Sequence, residues 1–310
     1  MSTRGPNGNS ASDGRDGLGR PGAVPTRVIL ACEMIEDEVR LALGALPPAD
    51  RPTVVWVESG LHDRPQRLQA ALQTLIDRLD EAAEQGAPVA LPSVHPGRGP
   101  ADERREDVPV EPATEIIMAL GFCGQGLQGL VSKHSSLVFP RVDDCISLFL
   151  NRGCVREAIP RDPRSYYLTR GWFRHDSSVA QAFGEWTERY GEERATKLRQ
   201  ALFAGYERVG LIDTKAYDVA DCIDQSRAYA DQLALEHVIV PGSVQLLERL
   251  FKGERDSELI VVPPGEPISF LHLFAATNDR ITQAEDKASP NCSPSDQDGG
   301  TEDSGDASSQ

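Results

Sequence analysis

Three thiols and an imidazole stand just beyond successive apolar runs of this 310-residue chain. Cys32 follows the run 27–31, and His62 follows 53–57 after Glu58-Ser-Gly-Leu. Cys123 follows 115–120, and Cys145 follows 136–139. Thiolate and imidazole are donors that zinc accepts at ~2.0–2.3 Å. Adjacent strands lie ~4.8 Å apart, so side chains on three neighbouring strand-end loops can converge on one ion. Cys32, His62, Cys123 and Cys145 are therefore the candidate metal ligands, with zinc the expected ion. They are scattered singly, without the C-x-x-C pairs of a zinc finger. Each cysteine taken alone also reads as a small buried hydrophobe.

Other chemistry competes for the same loops. Cys123 precedes an expected helix, whose N-terminus favours a thiolate. With His62 as base it becomes a candidate nucleophile, the pattern of a thiol-dependent hydrolase. Gly124-Gln-Gly126-Leu-Gln-Gly129 is a G-x-G-x-x-G sequence after a strand, the setting in which backbone N–H groups hold a phosphate. Gly124, Gly126 and Gly129, helped by Arg141, are thus candidate cofactor-binding residues. The alternative is a tight turn with close helix–strand packing, and the motif follows the third strand rather than the first. Asp143 and Asp144 are the candidate catalytic acids, placed to orient His62. The aromatic stretch 166–172 and the charged stretch 213–218 either anchor a cap or line a cleft, with Arg170 offering its fork to a carboxylate or phosphate.

The elements that must position these residues alternate. Helical patterns at 35–46 and 64–85 separate the first three strands, and the second carries Leu68, Leu72, Leu75 and Leu79 at helical spacing. Strands are also expected at 237–240 and 259–262, flanking a helix with Leu246, Leu247, Leu250 and Phe251. The expected fold is α/β, a mainly parallel, doubly wound (Rossmann-like) sheet with ligands bound outside the carboxyl ends of its strands. The stretch 177–235 is expected as a helical cap broken at Gly210 and 213–217, and the Pro/Gly/Arg-rich stretch 87–112 as a flexible insertion. The organisation expected is one domain over 27–274 between disordered tails at 1–26 and 275–310, the second strongly acidic. Cys292 in that tail is a poor site candidate, and Cys154 and Cys222 read as packing residues.

Composition narrows the function classes. A formal net charge of −16 argues against nucleic-acid binding, which needs a basic surface. No apolar run reaches the ~20 residues of a membrane span. The start of the chain has arginines but no apolar core of a secretory signal. The six cysteines are then expected as reduced thiols in a cytoplasmic protein.

Together the motifs resemble a bacterial and archaeal family, domain-of-unknown-function family 1638. The resemblance spans roughly 28–267. It rests on Ala31-Cys32-Glu-Met-Ile-Glu-Asp37-Glu38, Ser59-Gly-Leu-His62-Asp-Arg-Pro65 and Gly121-Phe-Cys123-Gly-Gln-Gly126. It continues through Pro140-Arg141-Val-Asp143-Asp-Cys145, Tyr167-Leu-Thr-Arg-Gly-Trp172 and Val261-Val-Pro-Pro-Gly265. Members of that family are associated with corrinoid-dependent methyl-transfer systems. Taken with the candidate ligands, that association gives the expectation of a zinc-dependent methyltransferase-like protein that activates a small-molecule thiol and meets a methyl donor. The corrinoid is expected on a partner corrinoid protein or methyltransferase, because the chain has no D-x-H-x-x-G of the kind that ligates cobalamin. The alternative is a non-catalytic accessory module holding a corrinoid or nucleotide for a partner methyltransferase. The insertion at 87–112 and the tails depart from the family pattern.

Overall fold

The computed structural model of the chain describes residues 25–97, 99–150, 159–175, 179–269 and 271–272. Apart from Pro25 and Thr26, the stretches expected as tails lie outside those residues, as do Cys154 and Cys292. The first half runs through β1 (Arg27–Cys32), α1 (Glu36–Gly44), β2 (Thr53–Val57), α2 (Pro65–Gln85), β3 (Val89–Val94), β4 (Arg105–Val110), β5 (Glu115–Ala119) and β6 (Ser136–Pro140). Next come α3 (Cys145–Phe149), β7 (Ser165–Leu168), α4 (Gly171–Arg174), α5 (Val179–Tyr190) and α6 (Glu192–Leu202). The chain then passes through β8 (Arg208–Asp213), α7 (Ile223–Leu233), β9 (Glu236–Pro241), α8 (Gln245–Lys252) and β10 (Leu259–Val262).

The apolar runs build a mixed α/β fold around a mostly parallel five-stranded sheet of order β10-β6-β5-β1-β2. β1, β2, β5 and β6 are parallel, and β10 pairs antiparallel with β6 at one edge. In β1 the residues Val28 to Ala31 are fully buried, which is why the run is continuously apolar rather than alternating. Val28 and Leu30 face α2, packing with Leu72, Ile76 and Leu79. Ile29 and Ala31 face the other side, against Val39 of α1 and Leu247 and Phe251 of α8. The leucine stripe of α2 thus lies where its spacing placed it. Pro65 fills the first turn of α2, where an N–H has no partner, and Gly86 ends it at φ 62°.

Two expectations are corrected. The stretch 87–112 is not a structureless insertion among the described residues but an antiparallel hairpin of β3 and β4. Leu91 and Val110 join the α2 core, and Ser93 Oγ accepts the Trp56 N–H at 2.9 Å. The stretch 177–235 is not an all-helical cap: β8 runs through it and pairs in parallel with β7 and β9 as a separate sheet. Gly210 is no break, since it lies within β8, where an added Cβ would stand 3.0 Å from the Tyr167 ring.

The second sheet is fastened to the first by charge and by close approach. Arg170 grips Asp37 with two bonds, 2.6 and 2.8 Å, and Arg174 adds a third at 2.8 Å. Gly171 comes so close to β1's outgoing loop that a Cβ would lie 1.8 Å from the Met34 carbonyl oxygen. Of the two readings of the stretch 166–172, Arg170 follows the anchoring one: its fork meets the Asp37 carboxylate at the junction between the two sheets.

Candidate functional site

The carboxyl ends of β1, β2, β5 and β6 open into a cavity of about 440 Å³. All four candidate ligands, Cys32, His62, Cys123 and Cys145, line it, together with Asp143 and Asp144. The far wall comes from the second sheet and its surroundings, through Tyr166, Tyr167, Trp172 and Tyr206. Side chains from positions 32 to 206 thus meet at one rim, where open α/β sheets bind ligands.

Cys123 and Cys145 are brought together by two loops zipped along their backbones. Phe122 N–H donates to Val142 O at 3.1 Å, and Cys123 N–H donates to Asp143 O at 3.0 Å. Gly121 permits this approach, because a Cβ there would stand 2.3 Å from the Asp144 carbonyl carbon. The two sulfurs end 4.0 Å apart.

The two thiols are electrostatically unequal. Hydrogen bonding with Cys123 holds Cys145 below its ordinary pKa, a Gly121 N–H adds to this, and burial opposes both. Cys123 is pushed far up by that same bond and by burial. Cys32 is also pushed up, by burial and by the charge of Cys145. Of the trio, Cys145, the first residue of α3, is therefore the thiol most disposed to ionise. Cys123, expected to be activated by a following helix, has none, since residues 123–129 form turns.

The remaining candidates divide. His62 lies on the rim, 42% exposed, with its Nε2 3.3 Å from Asp63 Oδ1 rather than held by Asp143 or Asp144. Asp144 is committed to structure. It caps α3 by accepting from Ser147 N–H and Oγ–H at 2.8 and 2.9 Å, and Arg161 pairs with it at 2.7 Å. The glycines of the G-x-G-x-x-G stretch pack their turn against α2: a Cβ at Gly126 would meet Leu68 at 2.6 Å, and one at Gly129 would meet Gln69 at 3.1 Å. That close packing, with no helix opening behind it, is the structural alternative weighed for the motif. Arg141 is not among the residues lining either cavity described here.

Sequence reasoning passed over the group that fixes the Cys32 loop. Glu33 is fully buried and is met by Arg104 from the hairpin at 2.6 Å, by the Ser59 N–H and hydroxyl at 3.0 Å each, and by His175 Nδ1 at 3.3 Å. Burial alone would raise its pKa, but these partners, Arg104 foremost, hold it lowered. A charged residue directly after a buried strand was the available signal. Arg161 and Tyr206, distant in sequence, carried none.

Among the described residues no group of three or more His, Cys, Asp or Glu is arranged to hold a metal ion, and no helix is long and apolar enough to cross a membrane. The trio's nearest approach to a metal geometry is the Cys123–Cys145 pair, whose 4.0 Å separation is close to the ~3.8 Å edge of a zinc thiolate tetrahedron.

Neither the curated proteins nor the solved structures offer a match to this chain. A family match covers residues 56–251, a span that contains His62, Cys123 and Cys145 and begins after Cys32. More than half of the chain is so covered, and it belongs to the family described as Protein of unknown function (DUF1638).

Proposed function

We propose that this thiol-lined cavity is a zinc site for group transfer, in which a substrate thiol is activated to accept a methyl group. The observation that carries the reading is the pair of sulfurs at 4.0 Å on the wall of a cavity that Cys32 and His62 also line. Cys123 and Cys145 would hold the ion, with Cys32 or His62 as the third donor. Burial and the neighbouring Cys145 push Cys32 up, its bond to Cys145 and burial push Cys123 up, and a bound dication would work against both. Held there, zinc would lower the pKa of a substrate thiol, so that the thiol would ionise more readily at neutral pH. Asp143 lines the same cavity and is the acid left to take or relay that proton. In this reading the sheet is doubly wound, with its ligand at the strand ends, the protein works in the cytoplasm, and a corrinoid resides on a partner methyltransferase.

A second reading, an accessory module for such a partner, draws on a neighbouring cavity of about 290 Å³ lined by Gln66, Gln69, Gln125 and Gln128. Its amides suit the polar periphery of a corrinoid or nucleotide.

Metal content separates the two. Protein purified and reloaded under reducing conditions should hold one zinc per chain, and Cys123→Ser or Cys145→Ser should lose it. Methyl donor and thiol should then be consumed together. A chain that takes up no zinc while its thiols are free overturns the first reading.

A further inference from the structure

The two walls of the cavity differ in kind. On the sheet side, Glu58, Asp143 and Asp144 bring three carboxylates, while the one guanidinium among the described residues of the lining, Arg161, is consumed by Asp144 at 2.7 Å. Glu58 has a looser partner, Arg105, at 3.6 Å and outside the lining. The opposite wall is aromatic. Tyr166 packs edge-on against Phe203 and Tyr206, with ring centroids 5.1 and 5.8 Å apart, so its ring is held in place before any ligand arrives. The Tyr167 hydroxyl already accepts the Asp162 N–H at 2.9 Å. That wall therefore offers a ligand mainly ring surface.

A ligand matched to both walls carries positive charge and presents methyl groups rather than N–H donors. An ammonium with protons of its own would leave them unsatisfied against the rings, at the cost of an unpaired buried donor. A fully methylated onium has none to satisfy, and aromatic rings with nearby carboxylates attract it by charge and by the ring quadrupole. The cavity volume falls in the small-molecule range, about 300–1,000 Å³.

We propose that the cavity binds a methylated cation, a quaternary ammonium or a sulfonium, between Glu58 and Asp143 on one side and Tyr166, Trp172 and Tyr206 on the other. This names the substrate class of the thiol pocket and rests on that reading for the fate of the methyl group. Binding itself asks nothing of a metal.

The test is calorimetric titration of the full chain with choline, trimethylsulfonium and the uncharged choline isostere 3,3-dimethylbutan-1-ol, with and without chelator. Both cations should bind at least about tenfold more tightly than the isostere, and the stronger of the two identifies the onium. Tyr206→Leu and Asp143→Asn should each weaken choline by about tenfold, with unfolding midpoints recorded to confirm that they fold. Should either variant fail to fold, the comparison of cations with the isostere in the wild type decides alone. Cation binding that persists under chelator, in a chain that never takes up zinc, upholds this inference while the metal reading fails. Equal binding of the isostere, or no cation binding at all, overturns it.

Discussion

The sulfur of Cys123 lies 4.0 Å from that of Cys145, within reach of a hydrogen bond between the two thiols. The pair is consequently polarised: Cys145 is held below the usual thiol range and Cys123 far above it. Of the three cavity cysteines, Cys145 should be the first alkylated by iodoacetamide at neutral pH, read by peptide mass mapping. Cys123→Ala removes that hydrogen bond and should slow labelling of Cys145 by roughly tenfold, the scale of a hydrogen bond to a charged group. Faster labelling of Cys123 in the wild type would contradict the assignment.

The approach of those sulfurs depends on Gly121, which has no room for a side chain. With the Asp144 carbonyl carbon 2.3 Å from the position of an added Cβ, Gly121→Ala must push the two loops apart. The clash is with backbone, so no rotamer relieves it, and a loss of roughly 1–3 kcal/mol in urea unfolding is expected. Where the variant folds, a short bifunctional thiol reagent should bridge Cys123 and Cys145 less efficiently than in the wild type. Unchanged bridging and an unchanged midpoint would mean that the loops do not need this glycine.

Much of this architecture was legible in the residues. The buried β1 run, the α2 leucine stripe and the strand-end position of all four candidate ligands follow from periodicity and apolar content. What escaped were features decided by tertiary partners. The hairpin contains Pro92 and Pro109 and a polar tip, so it reads as loop, yet Arg104 from its turn is drawn in by the buried Glu33. β8 was hidden because Gly210 looks like a break until Tyr167 is seen to need its bare Cα. The G-x-G-x-x-G stretch matched a pattern whose meaning depends on a following helix, and the chain makes turns there instead. The aromatic wall was half visible in 166–172, but Tyr206 joins it only through the second sheet.

The hairpin's anchorage gives a stability prediction. Arg104→Ala leaves the fully buried Glu33 without its strongest partner, with only the Ser59 bonds and His175 to face its charge. Breaking a buried pair from one side typically costs about 3–5 kcal/mol, which should appear as a large drop in the urea midpoint near neutral pH. Adding Glu33→Gln to that variant removes the stranded charge and should recover part of the loss. Independent, additive effects of the two substitutions would show that the pair is not coupled.

Glu38 carries a pH dependence of definite sign. Burial lifts its carboxyl from 4.5 to about 7, against the Thr214 hydroxyl that donates to it at 3.0 Å and the more distant Arg170. Between those two values the folded chain holds a proton that the unfolded chain has released. The contribution of Glu38 to stability is therefore complete below pH 4.5 and is lost as pH rises through 7. Glu38→Gln keeps the acceptor for Thr214 and cannot ionise. It should match the wild type near pH 4.5 and exceed it by roughly 3 kcal/mol at pH 8. Because the Glu38 charge also works to raise Cys145, the variant should alkylate somewhat faster at Cys145 above pH 7. Parallel stability profiles for the two proteins from pH 4.5 to 8 would mean that Glu38 ionises in the folded chain as readily as in the unfolded one.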